Sequence, residues 1–170
     1  IAEYNRLVAE SCLWNNEVEE AEKYLSESNK IYSSNQTRDR YYIRYHYTDA
    51  FLKIVKREPE KSIEPLTKLL EQAKSDYDKS QILYYLIIGH YLLENKPNIE
   101  IEKLLMLAAK YAENIDAKIE YYQVLSLKNL IFNDKTSIDF DDNEIIKNWC
   151  NYTVSFFYTL KFKEDKGIEK

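Results

Sequence analysis

KSQILYYLIIGHYLLENKPNIEIEKLLMLAAKYAE, residues 79–113, reads as two helices and the turn between them. The first helix covers about 79–94, Asn95-Lys96-Pro97-Asn98 makes the turn, and the second covers about 99–113. Gly89 falls mid-helix, where glycine costs about 1 kcal/mol relative to alanine. That cost is sensible if the missing side chain lets the paired helix come close, with Ile101 the expected neighbour across the turn.

The same pattern recurs outward from this stretch. Tyr4, Tyr45, Tyr84 and Tyr121 each open a unit, at spacings of 41, 39 and 37 residues. Five residues after each tyrosine stands a small side chain (Ala9, Ala50, Gly89, Ser126), and nine after it an apolar one (Leu13, Ile54, Leu93, Leu130). Leu25, Leu66 and Leu105 follow the first three tyrosines at a common distance. Periods of 20–50 residues are the signature of stacked repeat architectures. The expected fold is all-α, a superhelical array of antiparallel helix pairs forming one domain over 1–170. Its units are expected at about 2–33, 38–76, 79–113 and 117–161. Asn15-Asn16 and Glu58-Pro59 break the first two pairs, and Pro65 falls in the first turns of a helix, where it is tolerated. The fourth unit departs from the others, since Asn133-Asp134-Lys135-Thr136 and Asp139-Phe140-Asp141-Asp142 interrupt it before a helix over about 143–161. A turn at Lys163-Glu164-Asp165-Lys166 and a truncated helix from about 166 are expected to follow.

Composition agrees with helices and argues against several chemistries. Two glycines and three prolines leave little material for the tight turns of a sheet protein. The 31% charged content suits solvated outer faces, and a net charge of −5 gives no whole-domain attraction for nucleic acid or anionic membrane. The basic residues between Arg38 and Arg57 read as a solvated helix face. The uncharged run Ile82 to Leu93 is shorter than the about 20 residues a membrane helix needs. Cys12 and Cys150 suit small core positions in a reducing compartment, so a cytoplasmic location is expected. A chain starting at Ile1 and ending on a helix just beginning reads as an internal piece of a longer protein. His46 and His90 have no Cys or His at ligand spacing, and the acidic loop from Asp139 to Glu144 lacks the glycine and distal glutamate of an EF-hand, so a helix-capping loop is expected there. Without a phosphate-cradling glycine loop or a visible nucleophile–base pair, neither a cofactor nor catalysis is expected.

The small residues Ala9, Ala50 and Gly89, their partners Ala21 and Ser62, and the bulky Leu25, Leu66 and Leu105 resemble the tetratricopeptide repeat pattern. The units are longer than that family's usual repeat and lack its closing proline. Lys79-Ser80-Gln81-Ile82-Leu83-Tyr84-Tyr85-Leu86-Ile87-Ile88-Gly89, the Ile138-Asp139-Phe140 loop and the Lys161-Phe162-Lys163-Glu164 turn are similar to the regulatory domains of intracellular peptide-pheromone receptors of Gram-positive bacteria and their phages, the arbitrium receptors among them. That resemblance implies a repeat domain that binds a short secreted peptide and dimerises, with DNA bound only by a segment outside this chain. It also implies a pocket of Asn and Arg side chains, with Lys79 standing where one such Arg is expected.

In such a superhelix the first helix of each pair lines a concave groove. Counting from the small residue selects Arg6, Glu10 and Trp14, then Tyr47, Phe51 and Val55, then Leu86, His90 and Glu94, then Gln123, Leu127 and Ile131, with Arg44 and Glu120 one turn earlier. Apolar and aromatic side chains would fill pockets while polar ones satisfy a peptide backbone. Arg6 or Arg44 could hold a peptide carboxylate in bidentate fashion, or pair with a neighbouring acid. The two functions compatible with these residues are a peptide-responsive regulatory domain and a constitutive protein-interaction scaffold, such as the sensor array of a larger signalling ATPase.

Overall fold

A computed structural model describes residues 1–34, 40–94 and 96–162. Arg38, Asp39, Asn95, the turn from Lys163 and the helix expected from about 166 lie outside them. Among the described residues are eight helices and no strand: α1 Ala2–Trp14, α2 Val18–Ser34, α3 Arg40–Val55, α4 Glu60–Gln72, α5 Asp76–Leu93, α6 Ile99–Asn114, α7 Lys118–Phe132 and α8 Glu144–Phe162. No helix among them is long and apolar enough to cross a membrane.

Local chemistry sets the helix ends. After α1, α3, α6 and α7 the chain turns through a left-handed residue: Asn16 (φ 61°), Arg57 (φ 61°), Asp116 (φ 53°) and Asn133 (φ 51°). Each is followed by an amide that donates back five residues: Glu17 to Cys12, Glu58 to Lys53, Ala117 to Ala112 and Asp134 to Asn129. This is the Schellman stop, which glycine usually fills. Asn and Asp tolerate the conformation because their short polar groups bond locally, which accounts for three of these stops without glycine; the fourth falls at Arg57. Side-chain caps start others. Asn98 Oδ1 accepts the Ile101 amide at 2.9 Å, and Asn143 Oδ1 accepts the Ile146 amide at 3.1 Å. Ser75 Oγ accepts the Asp78 amide at 3.1 Å, which starts α5 three residues before the expected position. In the acidic loop Asp141 pairs with Lys118 at 3.2 Å, while Asn143, a neutral residue of the same loop, supplies the cap.

α1, α3, α5 and α7 pack side by side in one row; α2, α4 and α6 each pack against the two row members that flank them in sequence. The core runs through both layers and is thickest at α5, where Ile82 to Gly89 are all buried. Gly89 does serve a close approach, but the neighbour differs from the expected Ile101. A Cβ there would stand 3.1 Å from Ser62 Oγ and 3.4 Å from Ile63 Cγ1, both on α4 of the preceding pair. Tyr45 and Tyr84 are buried in the core, whereas Tyr4 is 67% exposed.

The fourth pair breaks the layering. After α7 the chain runs without helix from Asn133 to Asn143, and α8 then crosses the row. Phe157, fully buried, has its ring centroid 5.5 Å from Trp14 on α1, 6.3 Å from Phe51 on α3 and 6.1 Å from Tyr84 on α5. The Tyr152 hydroxyl donates to the Trp14 carbonyl. At the far end Lys161 Nζ donates to the carbonyls of Tyr91 and Glu94, the last turn of α5, and sits 3.9 Å from the Tyr91 ring centroid. A cation on the unsatisfied carbonyls of a helix C-terminus is favourable. Burial lowers the Lys161 pKa, with Glu94 opposing. Phe51 therefore lies under α8 rather than in an open groove, and Trp14 packs on α8 as well.

Candidate functional site

α8 leaves one part of the row uncovered. Between α1, α3, the start of α5 and the first half of α8 lies a cleft of about 720 Å³, within the range of ligand pockets, about 300–1,000 Å³. Glu3, Arg6, Leu7, Glu10, Ser11 and Trp14 of α1 form one wall, Arg44 and Tyr47 of α3 with Tyr77 of α5 the second, and Trp149 and Tyr152 of α8 the third.

The α1 wall follows from spacing. Glu3, Arg6 and Glu10 are separated by three and four residues and so share a face. Arg6 Nε and Nη2 donate to the two oxygens of Glu3 at 2.9 and 3.0 Å, a bidentate pair. Its Nη1 donates to Glu10 Oε2 at 2.5 Å and to Thr48 Oγ1 of α3 at 3.0 Å. The guanidinium is only 3% exposed. Burial disfavours its charge, but Glu3 and Glu10 outweigh that and raise its pKa further. Arg6 thus ties α1 to α3 and has little capacity left for a ligand.

Arg44 differs. Its Nε donates to Asp78 Oδ1 at 3.2 Å, Nη1 is 3.9 Å from Glu3, and the guanidinium carbon stands 5.3 Å from the Tyr77 ring centroid. Asp78 also accepts from Ser75 Oγ at 2.6 Å, so the α5 cap and the cleft share one carboxylate. Glu10 keeps acceptor capacity, because among the described residues Oε1 receives only the Tyr85 hydroxyl, at 3.4 Å. The aromatic wall is continuous: Trp14 lies 5.3 Å from Trp149, edge to face, and Trp149 stacks on Tyr152 at 5.8 Å. The lining includes no histidine and no cysteine, and no group of three or more His, Cys, Asp or Glu among the described residues could hold a metal ion.

Of the residues expected to line a groove, Arg6, Glu10, Trp14, Arg44 and Tyr47 converge on this cleft. Phe51 lies beneath it, fully buried, 4.7 Å from Trp14 and stacked on Tyr85 at 4.9 Å. Leu86 and Gln123 are buried on α5 and α7. His90, half-buried, pairs with Glu94 at 3.4 Å near the other end of α5. Lys79 turns to α6, its ammonium 5.1 Å from the Tyr111 ring centroid. Glu3, Tyr77, Trp149 and Tyr152 complete the site without having been singled out in the sequence. The acid at Glu3 was available as a three-residue offset from Arg6. The α8 aromatics were available as a spacing of three, four and one from Trp149 through Tyr152 and Phe156 to Phe157, but nothing in that spacing names the helix they meet.

No protein-family model, curated protein or solved structure matches this chain. The cleft geometry is what its function can be argued from.

Proposed function

We propose that this chain is a non-catalytic helical-repeat domain that binds a short peptide in the α1–α3–α8 cleft. The observation that carries this is the cleft itself: apolar rings on three sides, with Arg44 donors and a Glu10 acceptor incompletely used. Rings take side chains, and a donor and an acceptor together suit the amide groups of an extended chain. A tetratricopeptide-like array is supported by the two-layer order of helices and by the burial of Ala9, Ala21, Ala50, Ser62 and Gly89, the small positions of the pattern. Because α8 supplies one wall, a peptide that contacts Trp149 and Tyr152 would favour the arrangement in which α8 sits on α1. A ligand shifts an equilibrium by its differential affinity for the two states. That is the form of coupling a cytoplasmic communication-peptide receptor needs in order to signal to a dimer partner or to a DNA-binding segment elsewhere in its chain.

A constitutive interaction scaffold is the second reading, favoured by the exposure of Tyr4 and Leu7 on α1 and of Ile99 and Met106 on α6. A thermal-shift screen against short synthetic peptides separates the two. A peptide at 100 times its dissociation constant stabilises the fold by about 2.7 kcal/mol, and the shift should vanish in Arg44→Ala. Silence across the peptides, with capture of a folded protein partner that Leu7→Glu abolishes, would favour the scaffold.

A further inference from the structure

We propose that the cleft selects a positively charged group, an ammonium or guanidinium, seated between the Glu10 carboxylate and the rings of Trp14 and Tyr152. This deepens the peptide-binding reading by naming the feature of the ligand that is recognised, but it can be tested without any peptide.

The charge arrangement points this way. The cleft and its immediate support hold two guanidiniums, Arg6 and Arg44, and three carboxylates, Glu3, Glu10 and Asp78. Arg6 is spent on Glu3, Glu10 and Thr48; Arg44 is held by Asp78 with Glu3 near. Glu10 is left with one oxygen facing a single long hydroxyl contact, since charge-assisted O–H···O bonds are normally about 2.5–2.7 Å. An anionic ligand would have to share Arg44 with Asp78 and approach Glu10 unpaired. A cation would complete the Glu10 shell instead.

The surrounding tyrosines also feel Glu10. Burial raises the pKa of Tyr47 and Tyr85 and Glu10 raises each further, while Arg6 opposes it at both and Arg44 also at Tyr47. At Tyr77 burial leads, Glu120 and Glu10 add to it, and Arg44 and Arg6 only partly offset them. Burial is the main cause at all three hydroxyls, and Glu10 adds to it at each.

The rings supply the second component of a cation site. Aromatic faces attract ammonium and guanidinium groups within about 6 Å of the ring centroid. Tyr77 already carries Arg44 in that way, at 5.3 Å. Trp14 stands one helical turn beyond Glu10 on the same face of α1, and Tyr152, 43% exposed, stands opposite on α8.

The chain contains two tryptophans, and both line the cleft, so intrinsic fluorescence reports on it directly. The probes are the Nα-acetyl methylamides of lysine and arginine, with the Nε-acetylated lysine derivative and the glutamate analogue as neutral and anionic controls. Saturable changes are expected for the two cations with dissociation constants of about 1–10 mM, the level of single-group recognition. They should weaken about tenfold in Glu10→Gln and weaken with added salt. If Glu10→Gln fails to fold, Tyr152→Leu removes a ring without touching the Arg6 cluster and should weaken the cations about threefold, a modest cation–π loss. Equal response to the neutral derivative, preference for glutamate, or no saturable response to either cation up to about 100 mM overturns the proposal. A neutral peptide that binds while the cations do not would sink the charge assignment alone. Cation binding with no peptide found would sink the peptide reading alone.

Discussion

α1 and α5 hold equivalent places in the repeat pattern and end up in opposite environments. α5 buries eleven of its eighteen residues and α1 four of its thirteen. Neighbours account for the difference: α5 is packed by α3, α4, α6, α7 and α8, whereas α1 has α2, α3 and only the side chains of α8. The residues have adapted accordingly. Along α5 the run from Ile82 to Ile88 is entirely apolar or aromatic, and its only side-chain polar atoms are the hydroxyls of Tyr84 and Tyr85, the second of which donates to Glu10. Along α1 the inward face carries a guanidinium held by Glu3, Glu10 and Thr48. One repeat thus gives a dry centre in one place and a polar, ligand-sized cleft in another, according to how many helices surround it.

The largest expected effect falls where the two environments meet. Phe157 touches α1, α3 and α5 at once, so Phe157→Ala should cost about 3–5 kcal/mol, measured by urea unfolding. It should also alter tryptophan fluorescence in the native state, because Trp14 loses its buried neighbour. A cost under about 1 kcal/mol would mean that α8 is not pinned on the row, and the contrast between covered and uncovered helices would collapse.

Arg6 tests the cleft side of the contrast. Arg6→Met should destabilise by about 2–3 kcal/mol, less than the about 3–5 kcal/mol for breaking a fully buried pair, because Glu3 and Glu10 can still reach water. Adding Glu3→Gln and Glu10→Gln should recover much of that loss, since replacing a whole ionic cluster is often close to neutral. Chemical denaturation of the single and triple variants decides it. If the triple variant is no better than Arg6→Met, the cluster is held by shape rather than charge, and the α1 wall resembles α5 more than the comparison allows.

How much of this was legible in the sequence follows the same division. Local rules sufficed for the helices: the breaks at Asn15-Asn16 and Glu58-Pro59 and the small-residue spacing place the eight helices of the described residues with ends within a few residues of those observed. Five of the groove candidates meet in the cleft because one face of α1 and one of α3 follow from helical periodicity. What was not legible depends on contacts across the chain. Trp149 and Tyr152 reach Trp14 over more than a hundred residues, and an apolar stripe identifies a buried face without saying against what it is buried. His90 and Gln123 share the counted register and Lys79 entered through the resemblance, yet His90 pairs with Glu94, Gln123 is buried on α7 and Lys79 turns to Tyr111 of α6. Arg6 was open to both a ligand and a neighbouring acid, and only the geometry assigns it to Glu3 and Glu10.

The smallest expected effect probes the dry centre at its tightest point. Gly89 costs α5 about 1 kcal/mol of helix propensity relative to alanine, so Gly89→Ala would stabilise if space allowed. The added Cβ would stand 3.1 Å from Ser62 Oγ, and that hydroxyl is itself held at 2.6 Å by the Pro59 carbonyl at the start of α4. Moving it loosens a buried hydrogen bond worth about 1 kcal/mol, which cancels the gain, so Gly89→Ala alone should be neutral or slightly destabilising. In a Ser62→Ala background the obstruction is gone, and the same substitution should gain about 0.5–1 kcal/mol. The coupling in this double-mutant cycle is the measure of how closely α4 and α5 approach. Additive effects would place the need for glycine elsewhere, at Ile63 Cγ1, and would show the centre to be less tightly fitted than its burial suggests.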